Sequence, residues 1–176
     1  MKDREILVGV TGGIAAFKAA ALVSRLIALG AGASVVMTES ATRLVAPKTF
    51  EALSGRPVGL DTFGPGSHPH IEPARRAHLL CVAPATANFL AKAAHGLADD
   101  LLSSLVLAFE GPILVAPAMN AAMWKKPAVR RNVDRLIADG FHLIGPNDGR
   151  LSCGESGPGR MAEIDAIVER IVELLP

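Results

Sequence analysis

Apolar residues in this chain fall into two kinds of run. Short, nearly unbroken stretches at 6–10, 33–37, 78–83, 112–115 and 141–144 lack the alternation of a half-solvated strand, so each reads as a strand buried on both faces. Longer segments at 14–29, 89–94, 101–109, 127–139 and 163–175 carry apolar residues at helical spacing, and 43–55 reads as helical pieces broken at Pro47. A short edge strand at 58–60 leads into a loop over 61–70. Strands alternating with helices predict an α/β fold. The expected architecture is a doubly wound parallel sheet of flavodoxin or Rossmann type, in the order 3-2-1-4-5-6, with the strand at 58–60 as the third, at one edge. The full span, 1–176, reads as a single domain.

In such a sheet ligands bind where strand carboxyl ends meet a crevice, and the segments 11–14, 84–88 and 117–120 converge there. Thr11-Gly12-Gly13 opens a helix whose first N–H groups lack partners, which suits a phosphate. The dinucleotide pattern G-x-G-x-x-G is absent, which fits a mononucleotide phosphate; the same turn would also serve as a tight connection. Thr38-Glu39-Ser40, at the end of the second strand, can bond a ribityl or ribose chain or cap a helix. Asn120 stands between Met119 and Met123, just before Trp124. Its amide suits recognition of a carboxylate, and it would equally cap a helix starting near Ala121.

Two helices are too apolar for water on their outer sides. Lys18, Ser24 and Arg25 are the only polar side chains over 14–29, with Lys18 and Arg25 on one stripe, and the helix at 101–109 is also poor in charge. A partner subunit is the expected cover.

Composition narrows the function. Eighteen Lys and Arg against seventeen Asp and Glu give a net charge of +1 with no basic block, which argues against nucleic acid as a partner. No apolar run approaches the ~20 residues of a membrane span, and the run at 6–10 is too short for a signal peptide, so a soluble protein is expected. Cys81, in a strand, and Cys153, in a glycine-rich loop, suggest a reducing, cytoplasmic setting. Cys81 reads as a small core residue. The loop at 149–161 reads as a lid without regular structure, and a thiol on such a lid can give a proton to a bound ligand or be a bystander. His68 reads as a solvated loop residue, and His78, His95 and His142 as structural.

Three motifs carry a family resemblance. Pro117 to Trp124 match P-x-M-N-x-x-M-W; Cys153, Gly154, Gly157, Gly159 and Met161 match the flap A-C-G-x-x-G-x-G-x-M, with Ser152 replacing its alanine; and His70-Ile71 matches an H-I pair. On these residues the chain resembles the flavin-containing cysteine decarboxylases, in the phosphopantothenoylcysteine decarboxylase branch, over 10–161. The resemblance implies FMN as cofactor, no metal, and decarboxylation of a small molecule, 4′-phosphopantothenoylcysteine, to 4′-phosphopantetheine in coenzyme A biosynthesis. It implies His70 as catalytic base and Cys153 as proton donor. Asn120, Met119, Arg150, Ser152 and Met161 would bind substrate, and Gly12, Gly13, Ile14, Thr38, Ser40, Thr86, Ala87, Asn88 and Ala118 would bind the flavin. It further implies a homo-oligomer built from trimers, a homotrimer or homododecamer. Behind His70 the family's leucine, tryptophan and aspartate are replaced by Pro73, Arg76 and His78. Two alternatives are a peptidyl-cysteine decarboxylase, which would not need Cys153, and a non-catalytic flavin-binding regulatory subunit, which would not need His70 or Cys153.

Overall fold

The computed structural model describes residues 1–63, 71–150, 154 and 156–175. Its centre is a five-stranded parallel sheet, β2-β1-β3-β4-β5, formed by β1 (Glu5–Val10), β2 (Gly32–Met37), β3 (Leu79–Ala85), β4 (Ile113–Pro117) and β5 (His142–Leu143). The expected order is therefore observed, with its short third strand reduced to a single parallel bridge, Val36 to Gly59, beside β2. Side chains alternate across the sheet as a two-sided core requires. Ile6, Val8 and Val10 face one apolar layer, and Leu7 faces the other.

The first layer is built by α1 (Ala16–Ala28), α3 (Pro47–Ser54) and α9 (Ile164–Leu174), with Leu22, Leu26, Phe50 and Ile171 fully buried. The second is built by α5 (Ala87–Ala94), α6 (Leu101–Ala108) and α8 (Pro127–Ala138). Short helices α2 (Glu39–Thr42), α4 (Ile71–Arg76) and α7 (Ala121–Trp124) complete the crossovers. The sheet and its two layers leave the carboxyl ends of β1, β3 and β4 open on one side.

Three expectations about the backbone need correction. Pro84 does not stop its strand, because β3 continues to Ala85, whose carbonyl accepts from Ala118 N at 3.1 Å. Likewise β4 includes Pro117, paired with Ala85 beyond a register shift that begins after Val82. Proline lacks a donor but keeps its acceptor, so it is tolerated in the last residues of a strand. The lid at 149–161 is not irregular throughout: β6 (Asn147–Arg150) and β7 (Ser156–Arg160) form an antiparallel ribbon. Residues 151–153 and 155 lie outside the described set.

The apolar outer surface expected of α1 and α6 is present. Ile14 and Phe17 are 59% and 62% exposed, and Leu107 is 57% exposed. The polar stripe of α1 points instead at α9, where Lys18 lies 4.0 Å from Glu163 and Arg25 lies 3.6 Å from Asp165.

Candidate active site

The open carboxyl ends are joined by a buried hydroxyl. Thr11, 1% exposed, donates from Oγ1 to the Pro84 carbonyl at 2.6 Å and accepts from Thr86 N at 3.0 Å. One side chain thus fixes the glycine turn after β1 against the turn after β3. Beside it, a Cβ placed on Gly12 would come within 2.3 Å of the Ser40 Cβ, so only glycine admits the start of α2 this close. Thr38 caps that helix, accepting from Ala41 N at 3.3 Å, and Thr86 caps α5 through Phe89 N at 3.3 Å.

The third turn, after β4, is held by the ribbon. Met119 N donates to the Gly159 carbonyl at 3.0 Å, and a Cβ on Gly159 would lie 2.1 Å from the Met119 carbonyl oxygen. The two backbones are in contact, which requires glycine there. Asn120 caps α7, its Oδ1 accepting from Ala122 N at 2.7 Å. The capping role weighed from the sequence is therefore real, and it does not displace the other, because Asn120 also faces a cavity.

That cavity, about 460 Å³, is lined by the three turns, the first residues of α1 and the ribbon. Gly12, Gly13, Ile14, Thr86, Ala87, Ala118, Met119, Asn120, Arg150 and Met161 all line it, so most of the residues expected to bind cofactor or substrate meet in one place. Thr38, Ser40 and Asn88 do not line it; Thr38 accepts the cap bond of α2, and Ser40 packs against Gly12. His70, Ser152 and Cys153 lie outside the described residues. The other cysteine is excluded from chemistry: Cys81 is fully buried in β3, and that burial pushes its thiol up to about 12.

The structure adds lining residues that were not anticipated, chiefly Phe17, Lys18, Met123 and Arg160. Lys18 could have been found, since it follows Ile14 by one helical turn on the same face. Arg160 could not, because it sits in a Gly-Pro-Gly context without periodicity. Among the described lining residues the charged side chains are Lys18, Arg150 and Arg160, and none is a carboxylate. Glu163, just behind, pairs with Arg160 at 2.6 Å. The cavity is a cationic, partly apolar cleft suited to an anionic ligand with a flat apolar body.

Of the departures noted behind position 70, two have clear structural tasks. His78 Nδ1 accepts from Glu5 N at 3.0 Å, and Arg76 donates to Ser34 Oγ at 2.8 Å.

Comparisons with known proteins agree with this geometry. A family model described as Flavoprotein matches residues 1–176. The chain is 48% identical over 172 residues to the coenzyme A biosynthesis bifunctional protein CoaBC of Bacillus subtilis (strain 168), covering 96% of this chain and 42% of that protein. It is 46% identical to the CoaBC of Mycobacterium tuberculosis (strain ATCC 25618 / H37Rv), covering 93% of this chain and 40% of that one. The chain thus spans about two fifths of the length of these relatives. Among solved structures, the FMN-dependent cysteine decarboxylase SpaF superposes with a TM-score of 0.85 at 39% identity, covering 97% of both chains. A PPC decarboxylase mutant complexed with pantothenoylaminoethenethiol superposes with a TM-score of 0.85 at 32% identity, covering 98% of both.

Proposed function

The chain belongs to the flavin-containing cysteine decarboxylase family, and from that premise we propose that it decarboxylates 4′-phosphopantothenoylcysteine to 4′-phosphopantetheine with FMN, a step of coenzyme A biosynthesis. The observation that carries this reading is the meeting of three strand-end turns and the ribbon around one cationic cavity.

The residues present fit FMN. The turn at 12–15 leads into α1 and offers the backbone N–H groups of Ile14 and Ala15 to a phosphate, Gly13 N being bonded to the Thr11 carbonyl at 2.8 Å, while Ile14, Ala118 and Met119 offer apolar surface to a ring. FMN, when bound, supplies the reversible two-electron acceptor that lets a cysteinyl thiol become a thioaldehyde and an enethiol become a saturated thiol. The protein's share is placement and proton transfer. Asn120 Oδ1 accepts from Ala122 N, and the amide NH2 of the same side chain has the donor polarity a substrate carboxylate needs. Met119 and Met161 flank it, and Arg150 of the ribbon adds a cation. His70 acts as the base before carbon dioxide leaves, and Cys153 gives the proton that completes the saturated product.

In this reading residues 1–176 act as one decarboxylase unit with the flap at 149–161. The unit works in the cytoplasm as a homo-oligomer built from trimers. Ile14 and Phe17, exposed yet lining the cavity, support a neighbouring subunit closing over the flavin.

The test is turnover of 4′-phosphopantothenoylcysteine by the FMN-loaded protein, followed by carbon dioxide release and product mass. The expected product is saturated 4′-phosphopantetheine. His70→Asn should abolish carbon dioxide release, whereas Cys153→Ser should release it and accumulate the enethiol. A colourless protein that takes up no FMN would end the reading, and an enethiol as the wild-type end product would favour a peptidyl-cysteine decarboxylase.

A further inference from the structure

We infer that Arg160 is the residue by which this cavity distinguishes a phosphorylated substrate from its dephosphorylated counterpart, through a paired contact to a dianionic phosphomonoester. The inference rests on the decarboxylase reading above and adds a specificity-determining residue to it.

The first ground is charge. The cavity is lined by Lys18, Arg150 and Arg160 and, among its described lining residues, by no carboxylate. In the proposed reaction the cofactor phosphate is met by the Gly12-Gly13 turn and the substrate carboxylate by Asn120. The substrate phosphate is the one anion left without a partner, and as a phosphomonoester it carries more charge than the substrate carboxylate.

The second ground is how Arg160 is held. Its stem lies across the opposite strand of the ribbon at Gly149, where an added Cβ would come within 3.3 Å of Arg160 Cδ and 3.4 Å of Nη1. The absence of a side chain at that position leaves a track along which the guanidinium runs. Glu163 then fixes the far end, its Oε1 2.6 Å from Nη2. Glu163 is at the start of α9, does not line the cavity, and lies 4.0 Å from Lys18 Nζ through its other oxygen. One carboxylate therefore orients two cavity-facing cations from behind and leaves the trio with a net positive charge.

The third ground is chemistry. A guanidinium has five N–H donors in a rigid fork, so the bond to Glu163 leaves donors for two phosphate oxygens at once. Lysine in its place would keep the charge and lose the fork. Arg160 is 43% exposed on its side chain, so a phosphate can reach it without first opening the core.

The test compares wild type, Arg160→Gln and Arg160→Lys, each FMN-loaded, on 4′-phosphopantothenoylcysteine and on pantothenoylcysteine. Arg160→Gln should lower the phosphorylated-to-dephosphorylated ratio of kcat/KM by about 10- to 100-fold, mainly through KM, as expected for losing a charge-assisted pair of hydrogen bonds. Arg160→Lys should fall between. An equal loss on both substrates would overturn the inference in favour of a role in ribbon position. Weakened FMN binding with an unchanged substrate ratio would overturn it in favour of the cofactor phosphate. Binding of 4′-phosphopantetheine and of pantetheine, read from perturbation of the flavin spectrum, separates this inference from the proposed reaction. A wild type without turnover that still prefers the phosphorylated ligand, with the preference lost in Arg160→Gln, would sink the decarboxylase reading and keep the role of Arg160. Equal binding of the two ligands by wild type would sink the role itself.

Discussion

Two cavities of comparable size among the described residues arrange their charged side chains on opposite principles. One, about 460 Å³, lies at the carboxyl ends of β1, β3 and β4; the other, about 520 Å³, lies against β2 and is lined by Arg56, Arg76, Asp61 and Glu72 among others. In the second, cations and carboxylates are mixed, and both arginines are engaged by the protein. Arg56 donates to Glu5 Oε1 at 2.9 Å and to Ser34 Oγ at 3.1 Å, and Arg76 donates to the same Ser34 oxygen at 2.8 Å. In the first, the carboxylate sits behind the wall and the cations face inward. Volume would favour the second cavity as the site, whereas charge compensation favours the first. A guanidinium that shares its cavity with carboxylates is neutralised there; one held by a carboxylate outside the cavity, as Arg160 is by Glu163, keeps its remaining donors for a ligand.

The contrast breaks most sharply at Gly159. Its φ is +148°, and a Cβ there would meet the Met119 carbonyl at 2.1 Å, so Gly159→Ala must push the ribbon off the turn after β4. Decarboxylation should fall by about 100-fold or more, in line with ~3 kcal/mol of strain and lost backbone bonding. The sheet should survive, as followed by far-ultraviolet circular dichroism. Full turnover in this variant would mean that the first cavity does not need its ribbon.

A smaller effect is expected at Thr11, where the cavity and the fold share a residue. Thr11→Val keeps the shape and removes the hydroxyl, leaving the Pro84 carbonyl and Thr86 N–H without their partner. The cost should be about 2–3 kcal/mol, or a Tm lower by roughly 5–10 °C for a chain of this size, with weaker FMN uptake. Thr11→Ser should restore both. An unchanged Tm would show that the two turns are held apart from this hydroxyl.

Much of this architecture is written in local pattern. Unbroken apolar runs announced parallel strands buried on both faces, and the handedness and connectivity rules for such sheets then leave few orders. The convergence of the three turns followed from that order. The strands expected to end at 83 and 115 run on through Pro84 and Pro117, since a proline lacks the donor that marks a strand by pattern but keeps its acceptor. The ribbon was illegible for a different reason. Neither Asn147–Arg150 nor Ser156–Arg160 alternates apolar and polar residues, and its glycines answer to a surface distant in sequence, Met119 to Ala121, that only folding brings near. Arg160 was missed with it. Helix α4, with Pro73 inside it, gave no periodic signal over so few residues.

The mildest perturbation tests the second cavity. Glu5 is 25% exposed on its side chain, and the hydrogen bond from Arg56 holds its carboxyl below the ordinary range against the opposing cost of burial. A carboxyl whose folded pKa lies below its unfolded value, ~4.3 for Glu, contributes stability that is complete above that pH and is lost as pH falls through the folded value. Glu5→Gln should therefore cost about 1–2 kcal/mol at neutral pH, a Tm lower by a few degrees, and the gap to wild type should close as pH drops below ~4. Turnover per FMN-loaded molecule should stay at the parent rate, because Arg56 and Arg76 lie at the opposite ends of the strands from the site and serve the fold. A variant with an unchanged Tm and impaired turnover would reverse the comparison: the compensated arginines would then belong to a working site, and charge compensation would no longer separate the two cavities.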